Sequence, residues 1–164
     1  MPDKRLLVFI GKPGVGKTTL INKVFPDQKI IDVQPYVWSY KVNGRVPEEK
    51  TLIAYQDMYR HLEALNDALV ILELGTNHAE FNTKELKKLS QQFEVRVYLC
   101  TASVETCRAR IKIRARGDDM EAMERRLQRD FPDEHIKLLE SMGMGYITLD
   151  MEKSIPKLQR LVLV

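Results

Sequence analysis

The run Gly11–Thr18, GKPGVGKT, sets glycines, a lysine and a hydroxyl residue at the spacing G-x-x-x-x-G-K-[ST]. Glycines at 11, 14 and 16 free the backbone to wrap its N–H groups round an anion, and a helix opening after them adds its positive end. At this spacing Lys17 supplies a point charge to the β- and γ-phosphates of a nucleoside triphosphate, and the Thr18 hydroxyl is placed to ligate Mg²⁺. Gly11, Lys12, Pro13, Gly14, Val15, Gly16, Lys17, Thr18 and Thr19 are therefore the candidate nucleotide-binding residues, and ATP with Mg²⁺ the expected cofactors. ATP is preferred to GTP because no N-K-x-D follows a late strand, and Asn22-Lys23 lies too close to the glycine loop to read a base.

A second concentration of chemistry-bearing side chains begins at Cys107, in CRARIKIRARGDDMEAMERRLQRD. Arg110, Arg114 and Arg116 precede a Gly-Asp-Asp break, and Arg125 and Arg126 follow about one helix later. Arginine suits bidentate phosphate contacts and the neutralisation of a transferring phosphoryl group. The competing reading is a solvated basic helix, or an ion-pair network with Asp118, Asp119, Glu121 and Glu124.

Taken with the glycine loop, this pattern resembles the nucleoside monophosphate kinase superfamily of P-loop proteins, which includes the shikimate and gluconate kinase-like enzymes. There an R-I-x-x-R stretch, a lid and a late helix with leading acids and an R-[KR]-L run recur. The resemblance implies that Arg110 lies by the donor base, Arg114 and Arg116 on the donor phosphates, and Arg125 or Arg126 on the transferring group. The lid, about residues 110–126, is minimal, since only Gly117 separates Arg116 from Asp118. That is nearer the short-lid nucleotide, shikimate and gluconate kinases than the long-lid adenylate kinases.

Small kinases of this kind often carry an acid at the end of the second strand to take or orient the acceptor hydroxyl's proton, and IIDV offers Asp32. A turn-forming Asp that caps the strand end is the alternative. Glu73, in ALVILELGT, stands where P-loop proteins often hold Mg²⁺ through water. A carboxylate among such apolar neighbours is costly to bury, so it should face the site. Gly75 to His78 should then lie near the acceptor, His78 as a hydrogen-bond donor or as an ordinary surface histidine; His61 and His135 read as surface or packing residues. Tyr36, Trp38 and Tyr40 alternate either to stack on a ligand or to form a half-buried strand. For a monophosphate acceptor the available arginines are Arg45 and Arg60.

Five apolar runs would position these residues: Leu6–Ile10, Lys29–Val33, Ala68–Leu74, Val95–Cys100 and Tyr146–Leu149. Helical stretches lie between them at Lys17–Val24, Glu48–Leu65, Thr83–Phe93, Ser103–Ala115, Asp119–Arg129, Asp133–Met142 and Ser154–Val162. In the second of these, Leu52, Tyr55, Tyr59 and Leu62 share one face. Near-continuous apolar strands alternating with helices imply an α/β three-layer sandwich with a five-stranded parallel sheet, of P-loop kinase type with a short lid, and ligands at the carboxyl ends of the strands. Gln34–Pro47 is the longest irregular stretch.

At 164 residues, 44% hydrophobic and 30% charged, the chain fits one domain, 1–164, with a proper core. A net charge of +3 argues for neither nucleic acid nor an anionic membrane. Cys100 and Cys107 lack zinc-ligand spacing, and the apolar run at the N-terminus is too short for a membrane span, so a cytoplasmic protein is expected. The reading is an ATP- and Mg-dependent phosphotransferase acting on a nucleotide, nucleoside or other small hydroxyl acceptor. Lys17, Asp32, Arg114 and Arg125 are its catalytic candidates and Thr18 and Glu73 its metal-binding ones. Two other readings stay open: a P-loop ATPase switch acting on a protein partner, and a polynucleotide-end kinase if Lys41, Arg45, Lys87 and Lys88 form one track.

Overall fold

Strand β1 (Lys4–Ile10) sends Leu6, Val8 and Ile10 into one buried cluster and Leu7 and Phe9 into another. A strand apolar on both faces belongs inside a sheet covered on both sides. The structure, a computed structural model, describes residues 2–114 and 119–163. It has the expected architecture, a five-stranded parallel sheet in the order β2-β3-β1-β4-β5 with helices on either face. The other strands are β2 (Ile30–Ile31), β3 (Leu69–Leu74), β4 (Phe93–Thr101) and β5 (Ile147–Asp150). The helices are α1 (Lys17–Val24), α2 (Gln34–Trp38), α3 (Glu48–Ala64), α4 (Ala79–Leu89), α5 (Val104–Arg114), α6 (Met120–Leu127), α7 (Asp133–Ser141) and α8 (Ile155–Leu163).

One face of the sheet is covered by Tyr55, Met58, Tyr59 and Leu62 of α3, Leu86 and Leu89 of α4, and Leu139 of α7. The other face meets Leu20 and Ile21 of α1, Cys107 and Ile111 of α5, and Leu158 and Val162 of α8. Each such side chain contributes on the order of 1.5–3 kcal/mol by leaving water, so the two layers fix the strand ends firmly. Both cysteines are buried thiols, and burial pushes Cys100 up to about 12, which keeps it inert.

Four expectations are corrected. The helix expected at Thr83–Phe93 starts earlier, at Ala79, because His78 takes a left-handed φ of 53° and launches it; Phe93 is the first residue of β4. Leu52 lies off the buried stripe of α3, 38% exposed, and its place in the core is taken by Ala54 and Met58. Tyr36, Trp38 and Tyr40 do not alternate in a strand. Tyr36 and Trp38 lie in α2, whose Tyr36 hydroxyl bonds Nδ1 of His61, and the following Tyr40 hydroxyl donates to Asp57. Lastly, Asn43-Gly44 makes a tight turn inside the stretch taken as irregular, with both residues at positive φ and Val42 bridged to Arg45.

Of the two readings of His135, surface or packing, the structure shows packing. His135 is 2% exposed on α7, which packs on α4, with the Phe131 ring edge-on at 5.2 Å and no partner for Nδ1 among the described residues. Burial lowers its pKa to about 4 from the usual 6.5. Below pH 6.5 the unfolded chain takes up a proton that the folded chain refuses, so stability is full above that pH and falls as pH drops toward 4. The total loss is about 3 kcal/mol. Urea unfolding of wild type and His135→Leu at pH 7 and pH 4.5 measures it: the variant should lose markedly less between the two, and equal losses would refute the assignment.

Candidate active site at the carboxyl edge of the sheet

The parallel strands all end on one edge, and the loops leaving that edge bring distant residues together. The loop after β1 is the glycine run. Gly14 and Gly16 hold φ of 77° and 104°, and Gly16 leads directly into α1. A Cβ on Gly14 would lie 2.5 Å from the Cys107 carbonyl oxygen, so α5 packs on the loop at a distance only glycine permits. Lys17 is 8% exposed, and its Nζ donates to the carbonyls of Gly11 at 2.6 Å and Lys12 at 3.3 Å. Burial lowers its pKa, with Glu73 pulling the other way.

Thr18 and Glu73 meet although 55 residues separate them. The Thr18 hydroxyl lies 2.9 and 3.0 Å from the two carboxylate oxygens of Glu73 at the end of β3. This hydroxyl and carboxylate, beside a phosphate-binding loop, form the hard oxygen donor set that suits Mg²⁺ completed by phosphate oxygens. Above them opens a cavity of about 580 Å³ lined by the residues from Pro13 to Thr19, Glu73, Arg110, Arg114 and the segment after β5.

Arg110 spans two walls of this cavity, donating to the Val15 carbonyl at 2.7 Å and the Met151 carbonyl at 3.0 Å. Met151, Lys153, Ser154 and Ile155 form the far wall, and sequence reasoning missed them. Their signal was available: they follow the last strand on the ligand-bearing edge. The segment is tied down by Glu152, whose carboxylate accepts from the Ser103 N–H at 3.2 Å and the Thr106 hydroxyl at 2.6 Å.

Not every candidate reaches the cavity. The Lys12 side chain leaves it, its Nζ donating to the Leu127 carbonyl at 2.7 Å, and Gly11 supports the loop from below by accepting from Lys17. Arg125 points outward, its side chain 69% exposed and 3.7 Å from Glu121 one turn back on α6. Arg126 and Arg129 are exposed too, and their charges act on the buried Tyr55 phenol. Burial raises the Tyr55 pKa, the two arginines oppose that rise, and Asp32 adds to it. Tyr55, Asp32, Arg126 and Arg129 thus lie in one neighbourhood, with the His78 ring 5.3 Å from the Tyr55 ring. Arg129 and Tyr55 were not among the sequence candidates.

Asp32 follows β2, and its Oδ1 accepts from the Gln34 N–H at 2.8 Å, closing a turn into α2. Behind it, Tyr59 donates to Asn82 at 2.7 Å and Asn82 donates to the Asn77 carbonyl at 2.9 Å, which fixes the loop after β3. Arg60 sits 3.4 Å from Asp57 with its side chain 75% exposed. The α5 and α6 helices of the lid are joined by a bidentate pair between Arg108 and Glu124. Arg116 and Gly117 lie outside the described residues.

Among the described residues no helix is long and apolar enough to cross a membrane. A search of curated proteins finds no match. Solved structures of similar fold include a sugar kinase from Janibacter sp. HTCC2649, 15% identical with a TM-score of 0.61 over 98% of this chain and 92% of that one. They include shikimate kinase from Acinetobacter baumannii in complex with shikimate, 18% identical, TM-score 0.57, over 98% of this chain and 91% of that one. Deoxyadenosine kinase from M. mycoides with bound dATP is 14% identical with a TM-score of 0.52, over 96% of this chain and 97% of that one. A sequence family described as AAA domain matches residues 6–130. The chain therefore belongs to the AAA domain family of P-loop proteins and has the fold of the small P-loop kinases.

Proposed function

We propose that this protein is an ATP- and Mg-dependent kinase that transfers the γ-phosphoryl group to a small molecule through a hydroxyl. The observation that carries the reading is the cavity over Lys17, Thr18 and Glu73, with Asp32 following β2 on the same carboxyl edge of the sheet. A bare nucleotide switch needs only the cavity.

In this reading the loop amides and Lys17 hold the triphosphate, and Thr18 with Glu73 would hold Mg²⁺, which offsets charge on the phosphates. Lys17 must leave the loop carbonyls it bonds and turn its ammonium to the phosphate oxygens. Arg110 and the segment after β5 enclose the base. Arg114 neutralises charge on the donor phosphates, and of the two arginines offered for the transferring group, Arg126 takes that part. Asp32 accepts or orients the proton of the acceptor hydroxyl, which then attacks the γ-phosphorus in line with the departing ADP oxygen.

The polynucleotide reading loses its support from topology. Because α4 returns from the end of β3 to the start of β4, Lys87 and Lys88 stand at the amino edge of the sheet, away from Lys41 and Arg45 in the loop after α2. The four residues make no single track. Release of ADP from MgATP, followed with and without pools of nucleosides, nucleoside monophosphates, sugar acids and short oligonucleotides, tests the proposal. One pool should stimulate turnover. If ADP release stays slow with every pool while ATP binds, the kinase reading fails.

Asp32→Asn should lower acceptor-stimulated turnover about a hundredfold while leaving ATP affinity in place. The amide oxygen keeps the Gln34 bond, so the turn survives the change. Undiminished turnover would leave Asp32 as a helix-capping residue only.

A further inference from the structure

Lys12 occupies a variable place in the glycine loop, yet its side chain makes a long-range contact of its own. Its Nζ donates at 2.7 Å to the carbonyl of Leu127, the last residue of α6, across a separation of 115 residues. The final carbonyls of a helix have no partner within it and carry its negative end, so an ammonium there satisfies both needs. Leu127 itself is buried at 1% exposure, which holds its carbonyl in place to receive the bond.

A reciprocal contact reaches the loop from the opposite side. Arg110 on α5 donates to the Val15 carbonyl, so the loop lends a cation to one lid helix and accepts a cation from the other. Arg108 and Glu124 join those two helices to each other. The phosphate loop and both lid helices are closed into one ring of three charged contacts. Arg126 and Arg129 flank Leu127, so the direction they face depends on where the end of α6 is held.

We propose that Lys12 is a positioning residue, whose ammonium pins the carboxyl end of α6 to the phosphate loop and so fixes where the chain bearing Arg126 and Arg129 lies. The pinning stands apart from the kinase reading; only its consequence for turnover rests on that reading. Because the ammonium is spent on a carbonyl, its loss acts on α6 and not on the nucleotide.

Hydrogen exchange of the full chain, free and with MgADP, tests this in wild type, Lys12→Met and Lys12→Arg. The reporters are the amides of Gln128 and Arg129, which bond the carbonyls of Glu124 at 3.2 Å and Arg126 at 3.3 Å. Lys12→Met should speed their exchange by about tenfold or more, the loss of one charge-assisted bond, with Lys12→Arg restoring protection. MgADP affinity should change by less than about threefold in both variants. Once an acceptor is found, kcat should fall in Lys12→Met with the KM for ATP kept.

Unaltered exchange at both amides in Lys12→Met would overturn the proposal. So would a loss of MgADP affinity as large as that of Lys17→Ala, which would place the ammonium on the nucleotide. If Lys12→Met does not fold, Lys12→Gln, too short to reach Leu127, gives the same two readouts. Absence of acceptor-stimulated turnover in wild type would defeat the kinase reading and leave the exchange result standing.

Discussion

Lys17→Ala should abolish phosphoryl transfer, with turnover of MgATP down by about a thousandfold or more and the fold intact. The ammonium lies at the base of the cavity, against the Gly11 carbonyl, where burial strips it of water and Glu73 offsets only part of the cost. Its lowered pKa records that cost. A triphosphate repays it by offering oxygens to a cation already stripped of solvent. Removing the charge therefore costs little in the free protein and much in the loaded one. Thermal melts of Lys17→Ala should match or exceed those of wild type, and its MgATP titration should be the measurement that collapses. Ordinary phosphotransfer in this variant would sink the mechanism.

The second large effect is expected from a single methyl group. Gly14→Ala would set a Cβ 2.5 Å from the Cys107 carbonyl oxygen and 2.8 Å from Cγ1 of Ile111, at a φ of 77° that L-residues avoid. The loop or α5 has to give way, and α5 carries Arg110 and Arg114. A stability loss of about 2–4 kcal/mol is expected from the strain and the displaced helix together. Nucleotide affinity should fall with it, because the arginines retreat from the cavity. Urea unfolding and MgADP titration check both; a variant with unaltered midpoint and affinity would mean that the loop relaxes without moving α5.

The donor half of the site was legible because its signal is local. Eight consecutive residues specify the loop, and the strand before it and the helix after it are strongly patterned. The acid at the end of β3 was legible for a related reason, since a lone carboxylate in an apolar run must face something polar. Legibility stopped where side-chain direction depends on the rotation of a helix. Adjacent helical residues differ by about 100° in direction, so Arg125 and Arg126 look alike in sequence although they do not share a face. The same ambiguity hid Arg129 and Tyr55. The start of α4 was misplaced because a histidine at positive φ leaves no strong mark in a sequence. His135 stayed open between surface and packing because burial of a helical histidine is decided by the neighbouring helix.

One modest feature of the sheet bears on how such a protein changes over time. The strand that carries Asp32 to the site is two residues long, paired with β3 only through Ile30 and Ile31 at the rim. The donor half is cross-braced from every side, so almost any alteration there is penalised. The rim strand and the short α2 behind it have little invested in the core, and α2 buries no residue completely. In the proposed reading, substitutions there remodel the acceptor side while the phosphate loop stays as it is. If the proposed kinase reading holds, a lineage built this way can exchange one acceptor for another, and its members should diverge first at that rim.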